Sequence, residues 1–420
     1  MSDVSVSDIR LQARPRRRWS NTGLARRLLL GVLDNFSVGS LTIHDGDQVF
    51  HVGQTDCPSG LHAEVRVHNP AVYARVLTHG TVGSGEAYIE GEWSSPDLTA
   101  VTRLFSANLP TMEAMEARQS WLLRLSLKLA HGMNRNTRSG SRRNIAAHYD
   151  LGNDFFRLFL DPTMMYSSAL FEEPGQTLEQ ASVAKLDALC QQLELGPDDH
   201  LLEIGTGWGG MAIHAAQHYG CRVTTTTISR EQYDYTRQRV SELGLEERIE
   251  VLCEDYRLLQ GQYDKLVSVE MIEAVGHQFY ADYFARCSAL LRPAGKMALQ
   301  AITVADQRYR QARDNVDYIK RFIFPGGCLP SLAVIADNVA EHTDLQMVHL
   351  RDITLDYART LACWRERFLA QLDAVRRQGF DERFIRMWEF YLCYCEGGFR
   401  ERIISTVQLT LAKPGYRPAA

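Results

Sequence analysis

Glycines follow directly on an apolar strand, in the segment Leu201-Leu202-Glu203-Ile204 that continues as Gly205-Thr206-Gly207-Trp208-Gly209-Gly210. Glycine lets a backbone turn tightly and approach a ligand with no side chain in between. Open α/β folds bind their ligands at the carboxyl ends of the strands, which is where this loop lies. The pattern predicts a nucleoside-binding loop; the alternative is a glycine turn that serves only packing.

The surroundings of the loop indicate which nucleoside it binds. A dinucleotide site has a Gly-x-Gly-x-x-Gly fingerprint and an acidic residue about 20 positions later that holds a ribose hydroxyl. Here the glycines are spaced Gly-x-Gly-x-Gly-Gly, and the next strand ends in Thr226-Thr227-Ile228-Ser229. Because the loop also carries no extra basic side chain for a pyrophosphate, it favours a phosphate-free nucleoside such as S-adenosylmethionine.

Alternating helices and strands must position this loop. Beyond Leu178 the predicted strands are 200–204, 221–227, 249–252, 263–269, 296–302 and 407–411, separated by helices such as 230–243 and 279–291. This alternation predicts an α/β fold, with a mainly parallel sheet covered by helices on both faces. Upstream, short strand-like runs at 41–43 and 65–67 predict a small α+β domain.

Composition and charge limit the possible partners. The 420 residues are 45% hydrophobic, which is enough to bury a full core, and the length suits two domains or one domain with a large attachment. The net charge is -5. Basic residues nevertheless cluster, with seven arginines in residues 1–30 and a second run over 118–143 that includes Trp121-Leu122-Leu123. Bulky apolar and basic groups together favour an anionic lipid surface, and the alternative is a solvated linker helix. We expect no nucleic acid partner, because no recognised motif occurs and the remaining sequence is net acidic.

Cysteine usage and hydropathy bear on the compartment. The nine cysteines include no Cys-x-x-Cys pair, so we expect neither a metal site nor a disulfide framework. No run approaches the roughly 18 to 20 apolar residues that span a bilayer, and the N-terminus lacks a secretory pattern. We expect a cytoplasmic protein.

Several long motifs carry a specific resemblance. The glycine loop, the run Thr227-Ile228-Ser229-x-Glu231-Gln232 and the pair Asp255-Tyr256 occur in the order typical of cyclopropane fatty acid synthases. The segments 144–156, 165–169, 324–331 and 386–392 also resemble that family. The resemblance extends from roughly residue 38 to the end of the chain.

The resemblance implies a Rossmann-like, seven-stranded class I methyltransferase domain over 148–420. Before it we expect a flexible basic N-terminus over 1–35, a small α+β lipid-engaging domain over 36–117 and a basic amphipathic connector over 118–147. By the same resemblance, S-adenosylmethionine is the methyl donor. Its implied contacts are Tyr166, Ser167, Glu203, Gly205, Thr206, Gly207, Thr227, Ile228, Ser229, Gln232, Asp255 and Tyr256.

The resemblance also implies a bound bicarbonate that acts as a base. Its ligands would be Glu273, the Ile302 backbone and Tyr357, while Ser168 and Gln300 stand where the family has a cysteine and a histidine. Both departures can still hydrogen-bond an anion, although glutamine cannot carry positive charge.

Other residues of the motifs have weaker assignments. Cys395 matches a cysteine once proposed as catalytic, and packing is its alternative role. His148 is a candidate base, with helix capping or a substrate-loop role as the alternatives. Aromatic faces can stabilise a carbocation on the acyl chain. The candidates for that role are Phe155, Phe156, Tyr166, Phe171 and Tyr357, and core packing is the alternative for each of them.

The expected function is cyclopropanation of an unsaturated acyl chain in a membrane phospholipid, with the protein peripherally bound at the inner face. The nearest alternative is C-methylation that gives a methyl-branched or methylene-bearing chain, which Ser168 and Gln300 favour. The sequence also leaves open a soluble small-molecule methyltransferase and a non-enzymatic lipid-binding protein. Self-association as a homodimer stays open as well.

Overall fold

Two β-sheets organise the chain, and the computed structural model describes residues 22–117 and 151–418. The first sheet has the strand order β2-β1-β3-β4, in which β1 and β2 form an antiparallel hairpin and β1 and β3 are parallel. Its strands are β1 (Ser40–Asp45), β2 (Gln48–Gly53), β3 (His62–Val67) and β4 (Trp93–Ser94). Its helices are α1 (Thr22–Leu33), α2 (Ala71–Ile89), α3 (Leu98–Ala107) and α4 (Leu109–Ala117). These elements are called the N-terminal layer below.

Helix α1 differs from the sequence prediction. The richness in arginine predicts a flexible segment over 1–35, but the twelve residues of α1 are helical. Leu29 and Leu33 of this helix are buried in the core, together with Phe36. Burial of these apolar side chains stabilises the helix. The arginine content, on which the prediction of flexibility rests, does not show this burial.

The second sheet has seven strands in the order β10-β11-β9-β8-β5-β6-β7. Strands β5 to β9 pair in parallel, and the edge contributed by β11 and β10 is antiparallel. The strands are β5 (His200–Ile204), β6 (Arg222–Thr226), β7 (Ile249–Leu252), β8 (Tyr263–Val269), β9 (Leu291–Val304), β10 (Gln346–Asp352) and β11 (Ile404–Ala412). This arrangement confirms the predicted class I methyltransferase fold with a small N-terminal α+β unit.

Helices cover both faces of the second sheet and extend toward the first. They are α5 (Asn153–Phe156), α6 (Leu178–Leu193), α7 (Gly210–Tyr219), α8 (Arg230–Glu242), α9 (Tyr280–Leu290), α10 (Tyr309–Asp314), α11 (Leu332–His342), α12 (Thr354–Ala370), α13 (Leu372–Arg377) and α14 (Glu382–Arg400). Local sequence sets several of their ends. Helix α6, for example, begins with a capping box in which Thr177 and Gln180 satisfy each other's backbone N–H groups.

Helix α14 attaches the N-terminal layer to the methyltransferase fold. The Tyr88 hydroxyl donates to Glu389 at 2.8 Å, and the Thr99 hydroxyl donates to Glu396 at 3.1 Å. Phe390 packs 5.5 Å from the Tyr88 ring and 6.3 Å from the Trp93 ring, measured between ring centroids. A continuous apolar core therefore joins the two units.

Some sequence predictions fall outside the described residues. They include the basic connector over 118–147, His148 and the start of the motif over 144–156. Within 22–117 and 151–418, no helix has the length and hydropathy needed to cross a bilayer.

Candidate active site

The glycine loop turns at the carboxyl end of β5. Gly205 and Gly207 have φ angles of 100° and 52°, which lie in the left-handed region that favours glycine. The N–H groups of Gly205 and Thr206 both donate to the carbonyl oxygen of Thr226, at 3.0 and 3.1 Å. This carbonyl ties the loop to the end of β6, so that the loop is fixed beside the residues expected to hold the ribose.

A cavity of about 500 Å³ opens beside this loop. Most of the predicted site residues line it: Tyr166, Ser167, Glu203, Gly205, Thr206, Gly207, Thr227, Ile228, Gln232, Asp255, Tyr256, Glu273, Ile302, Tyr357 and Cys395. Ser168, Gln300 and Ser229 are buried behind its surface. Residues from α2, α3 and α4 complete the wall, including Val76, Val101 and Met112.

The end of the cavity near the glycine loop is polar. The Thr227 hydroxyl donates to Gln232 at 2.8 Å, while Ser229 caps α8 by accepting the Gln232 N–H. Glu203 accepts a hydrogen bond from Thr225 at 2.6 Å, and burial raises the pKa of Glu203 to about 8. Thr227, Gln232 and Glu203 all line the cavity, and hydrogen bonding to a ribose stays the prediction for them.

Asp255 and Ser167 are also engaged with neighbours. Asp255 pairs with Arg257 through two contacts of 2.8 and 2.5 Å. The Ser167 hydroxyl accepts from the ammonium group of Lys185 at 2.9 Å. Lys185 is fully buried, and this burial lowers its pKa to about 8. A cation is thus held directly behind the cavity wall.

Two glutamates, Glu270 and Glu273, line the cavity and are called the acid pair below. Glu273 Oε1 accepts the Ile302 N–H at 2.5 Å, and burial raises the pKa of Glu273 to about 8. Within the described residues, Glu273 Oε2 has no hydrogen-bond partner. Glu270 Oε1 accepts from the Ser168 N–H at 2.9 Å and from Gln300 Nε2 at 2.8 Å. The Tyr357 hydroxyl donates to Glu270 Oε2 at 2.8 Å.

This arrangement does not fit the expected bicarbonate. The donors from Ser168, Gln300 and Tyr357 are directed at a carboxylate that the protein itself supplies. The Ser168 hydroxyl does not replace the family's thiol as an anion ligand, because it donates to the Ala169 carbonyl oxygen at 2.9 Å.

Three of the aromatic residues that are candidates for facing a carbocation lie outside the cavity lining. Phe155 and Phe156 are completely buried in an aromatic cluster, where Phe155 lies 5.0 Å from Trp388. Phe171 stacks beneath the guanidinium group of Arg359 at 3.9 Å. None of the three lines the cavity, and all three belong to or pack against the hydrophobic core, which agrees with the packing alternative and not with a catalytic face.

The cavity does contain aromatic faces. Tyr357 stacks on Phe399 with ring centroids 4.5 Å apart, and the Tyr166 hydroxyl hydrogen-bonds the Tyr391 hydroxyl at 2.9 Å. All four side chains line the cavity. It therefore combines a nucleoside loop, an acid pair and an aromatic, largely apolar wall.

Comparison with known proteins identifies this combination. The family model described as mycolic acid cyclopropane synthetase matches residues 136–409. The chain belongs to this family. It is 42% identical to the tuberculostearic acid methyltransferase UfaA1 of Mycobacterium tuberculosis (strain ATCC 25618 / H37Rv), over 83% of each chain. It is 38% identical to the cyclopropane-fatty-acyl-phospholipid synthase of Escherichia coli (strain K12), over 84% of this chain and 88% of that protein.

Solved structures of the synthetase family share the fold. The cyclopropane synthase MmaA2 from Mycobacterium tuberculosis is 33% identical, with a TM-score of 0.60 over 65% of this chain and 98% of its own. CmaA1 complexed with SAH and CTAB is 30% identical, with a TM-score of 0.61 and the same coverage. The chain is thus an S-adenosylmethionine-dependent methyltransferase of the cyclopropane synthetase family, whose members modify unsaturated acyl chains.

Cys395 lines the cavity. Burial raises the pKa of its thiol far above the ordinary value, so the thiolate is not available as a nucleophile. The geometry supports the packing role.

Glu270 is the site residue that the sequence analysis missed. The family motifs lead to Glu273, and Glu270 stands three positions earlier, directly after β8. An acidic residue at the carboxyl end of a buried parallel strand was the available signal, because ligand-binding residues in open α/β sheets lie at these ends.

Proposed function

We propose that the protein transfers a one-carbon unit from S-adenosylmethionine to the cis double bond of an unsaturated phospholipid acyl chain, forming a cyclopropane ring. The observation that carries this proposal is the shared cavity, whose lining contains the glycine loop, the acid pair and several aromatic rings. The names of the E. coli and mycobacterial relatives support the same chemistry.

The proposed cofactor residues are those of the predicted set, with the glycine loop and the residues from Thr227 to Gln232 around the ribose. Asp255 and Tyr256 are assigned to the adenine. Ser229 serves indirectly, by capping α8 and so fixing Gln232. When bound, S-adenosylmethionine supplies an electrophilic methyl group on a sulfonium.

The protein's main contribution is to orient the methyl donor and the alkene and to exclude water from the cavity. An alkene is a weak nucleophile, and holding two reactants in the productive geometry contributes on the order of 7 to 11 kcal/mol. The apolar wall excludes water, which would otherwise capture the carbocation. The rings of Tyr357, Tyr166 and Tyr391 line the same space and can face the cation.

A membrane-bound substrate is supported by the outer face of α1. Leu24 and Leu28 are 56% and 54% exposed, and the exposed Arg27 lies on the same face. Apolar side chains with a neighbouring cation are typical of helices that lie on anionic lipid. The N-terminal layer that carries α1 also lines the cavity, so we propose peripheral attachment at the inner membrane face through this helix.

Vesicle flotation tests the attachment. Replacement of Leu24 and Leu28 by serine should reduce binding to anionic vesicles, while serine at Val49, an equally exposed residue of β2, should not. Equal binding of the two variants would show that α1 is not the membrane contact.

A second candidate product is a methyl-branched or methylene-bearing chain. The 42% identity to a tuberculostearic acid methyltransferase favours it, as do Ser168 and Gln300 at the positions of the family's thiol and imidazole. For the methyl-branched chain the methyl transfer is the same, but the proton leaves a neighbouring chain carbon. For the methylene-bearing chain, a hydride shifts from the methylated carbon to the cationic carbon before the transferred methyl loses its proton.

A trideuterated methyl donor separates the products. With vesicles of a monounsaturated phospholipid, ring closure keeps two deuterons and gives ring-proton NMR signals. Retention of all three deuterons would show that the product is the methyl-branched chain and not the cyclopropane. Label found only in non-phospholipid acyl chains would overturn the phospholipid assignment.

A further inference from the structure

Glu270 adopts a backbone conformation that glutamate rarely takes. Its φ angle is 48°, in the left-handed region, and its N–H donates to the Gln300 carbonyl oxygen at 2.8 Å. A non-glycine residue held in this region is strained, and such strain clusters at functional sites. The conformation is maintained where the side chain enters the cavity, which directs attention to what the carboxylate does there.

The Glu270 carboxylate occupies an anion-binding site built from three donors. The Ser168 N–H, Gln300 Nε2 and the Tyr357 hydroxyl all approach within 2.9 Å. Gln300 is itself oriented by Gln408, whose amide donates to Gln300 Oε1 at 3.0 Å. A glutamate carboxylate and a bicarbonate present the same planar pair of anionic oxygens. The residues expected to hold a diffusible base thus hold a covalently attached one.

The two glutamates of the acid pair differ in their protonation state. Glu270 accepts three hydrogen bonds, which stabilise the ionised form, whereas Glu273 accepts one and has an unpartnered oxygen within the described residues. The buried cation of Lys185 also favours an ionised Glu270, although burial still raises the pKa of Glu270. The proximity of Glu270 adds to burial in raising the pKa of Glu273, so Glu273 retains its proton near neutrality.

We propose that Glu270 is the catalytic base, in place of bicarbonate. This role rests on the proposed function. Methyl transfer breaks the bond from sulfur to the methyl carbon, forms a bond to one alkene carbon and leaves the other alkene carbon cationic. Glu270 then takes a proton from the transferred methyl, and the electron pair of that C–H bond closes the ring. The products are S-adenosylhomocysteine, the cyclopropane and a protonated Glu270 that returns its proton to solvent.

Glu270 Oε2 is suited to receive this proton. Within the described part of the chain its donor is the Tyr357 hydroxyl alone. A carboxylate oxygen has a second lone pair, which remains for the methyl proton. Oε1, by contrast, already accepts two hydrogen bonds and is the anchored end of the group.

Two substitutions of the same residue test the proposal in bicarbonate-free buffer. Glu270→Gln keeps the shape but removes the base, and should lower turnover by about 100-fold or more. Glu270→Gly removes the carboxylate and relieves the strained φ, so it should fold at least as well as wild type. Added bicarbonate should restore activity to Glu270→Gly, because the three donors can then bind it. Glu92→Gln is the matched control, since Glu92 is a buried acid outside the cavity, paired with Arg75.

Turnover is measured as S-adenosylhomocysteine release and as lipid mass gain, with calorimetric binding of S-adenosylmethionine and circular dichroism as checks on folding. Wild-type activity should be unchanged when bicarbonate is removed or added. A bicarbonate-dependent wild type, an active Glu270→Gln variant or a folded Glu270→Gly variant that bicarbonate never rescues would each overturn the proposal. If wild type converts no unsaturated lipid, the proposed function fails instead, which the lipid mass reports separately.

Discussion

Replacement of Tyr357 by phenylalanine perturbs the acid pair by a single oxygen atom. The change removes the hydroxyl that donates to Glu270 Oε2 at 2.8 Å and keeps the ring, which stacks on Phe399. A hydrogen bond to a charged group contributes about 1.5–3 kcal/mol, and this donor stabilises only the ionised carboxylate. Its loss therefore favours the protonated form and raises the pKa of Glu270 further.

The acid limb of the kcat/KM profile should consequently move to higher pH. At roughly 1.4 kcal/mol per pH unit, the lost hydrogen bond corresponds to a displacement of about one to two units. Tyr280→Phe is the control, because it removes another buried hydroxyl, one that donates to the Cys328 carbonyl oxygen at 2.5 Å and not to Glu270. The control should lose about 1 kcal/mol of stability and keep its acid limb. An acid limb at the same pH in Tyr357→Phe and wild type would refute the reasoning.

Four further predictions test other parts of the molecule. Gly207→Val should abolish calorimetric binding of S-adenosylmethionine in a folded protein, and unchanged affinity would remove the loop from the cofactor site. Gly85→Ala places a Cβ against the ring of Tyr318 and should cost about 1–3 kcal/mol in urea unfolding, whereas Gly175→Ala, which meets nothing within 4 Å, should be neutral. Cys395→Ala should retain most lipid turnover, and an inactive, folded variant would restore a catalytic role for the thiol. The pKa of Glu273 is raised from 4.5 to about 8, so the unfolding free energy should fall as pH rises across that interval, and less steeply in Glu273→Gln.

Local patterns are sufficient for the parts of the fold that local interactions determine. The boundaries predicted for the strands at 200–204, 249–252 and 263–269 agree with the structure, because apolar runs bounded by turn residues define them. The sequence predicts that strand β9 begins at residue 296, but it begins at Leu291. The residues before 296 include proline and glycine, and pairing of Leu291 with Tyr263 of β8 extends the strand beyond what propensity indicates.

The cofactor end of the site was more predictable than the reacting end. The glycine loop and Thr227 lie in one contiguous part of the sequence, so a local pattern indicates them. The hydrogen bonds of the acid pair join side chains that are far apart in the sequence, and no local pattern indicates them. Tyr357 reaches Glu270 from 87 positions away along the chain. A motif carried over from a family directs attention to matching positions, so it does not reveal that Glu270 accepts the hydrogen bonds of Ser168, Gln300 and Tyr357.

The position of strand β11 has a consequence for the order of events during synthesis. This strand comes last among the described strands, yet it lies inside the sheet, between β9 and β10. Helix α14, which anchors the N-terminal layer, is also late, since Tyr88 bonds a glutamate 301 positions further on. A ribosome adds about 5–20 residues per second, so tens of seconds pass between the synthesis of the N-terminal layer and that of helix α14. A nascent chain arrested before residue 404 would already contain the glycine loop but would lack the strand that completes the sheet.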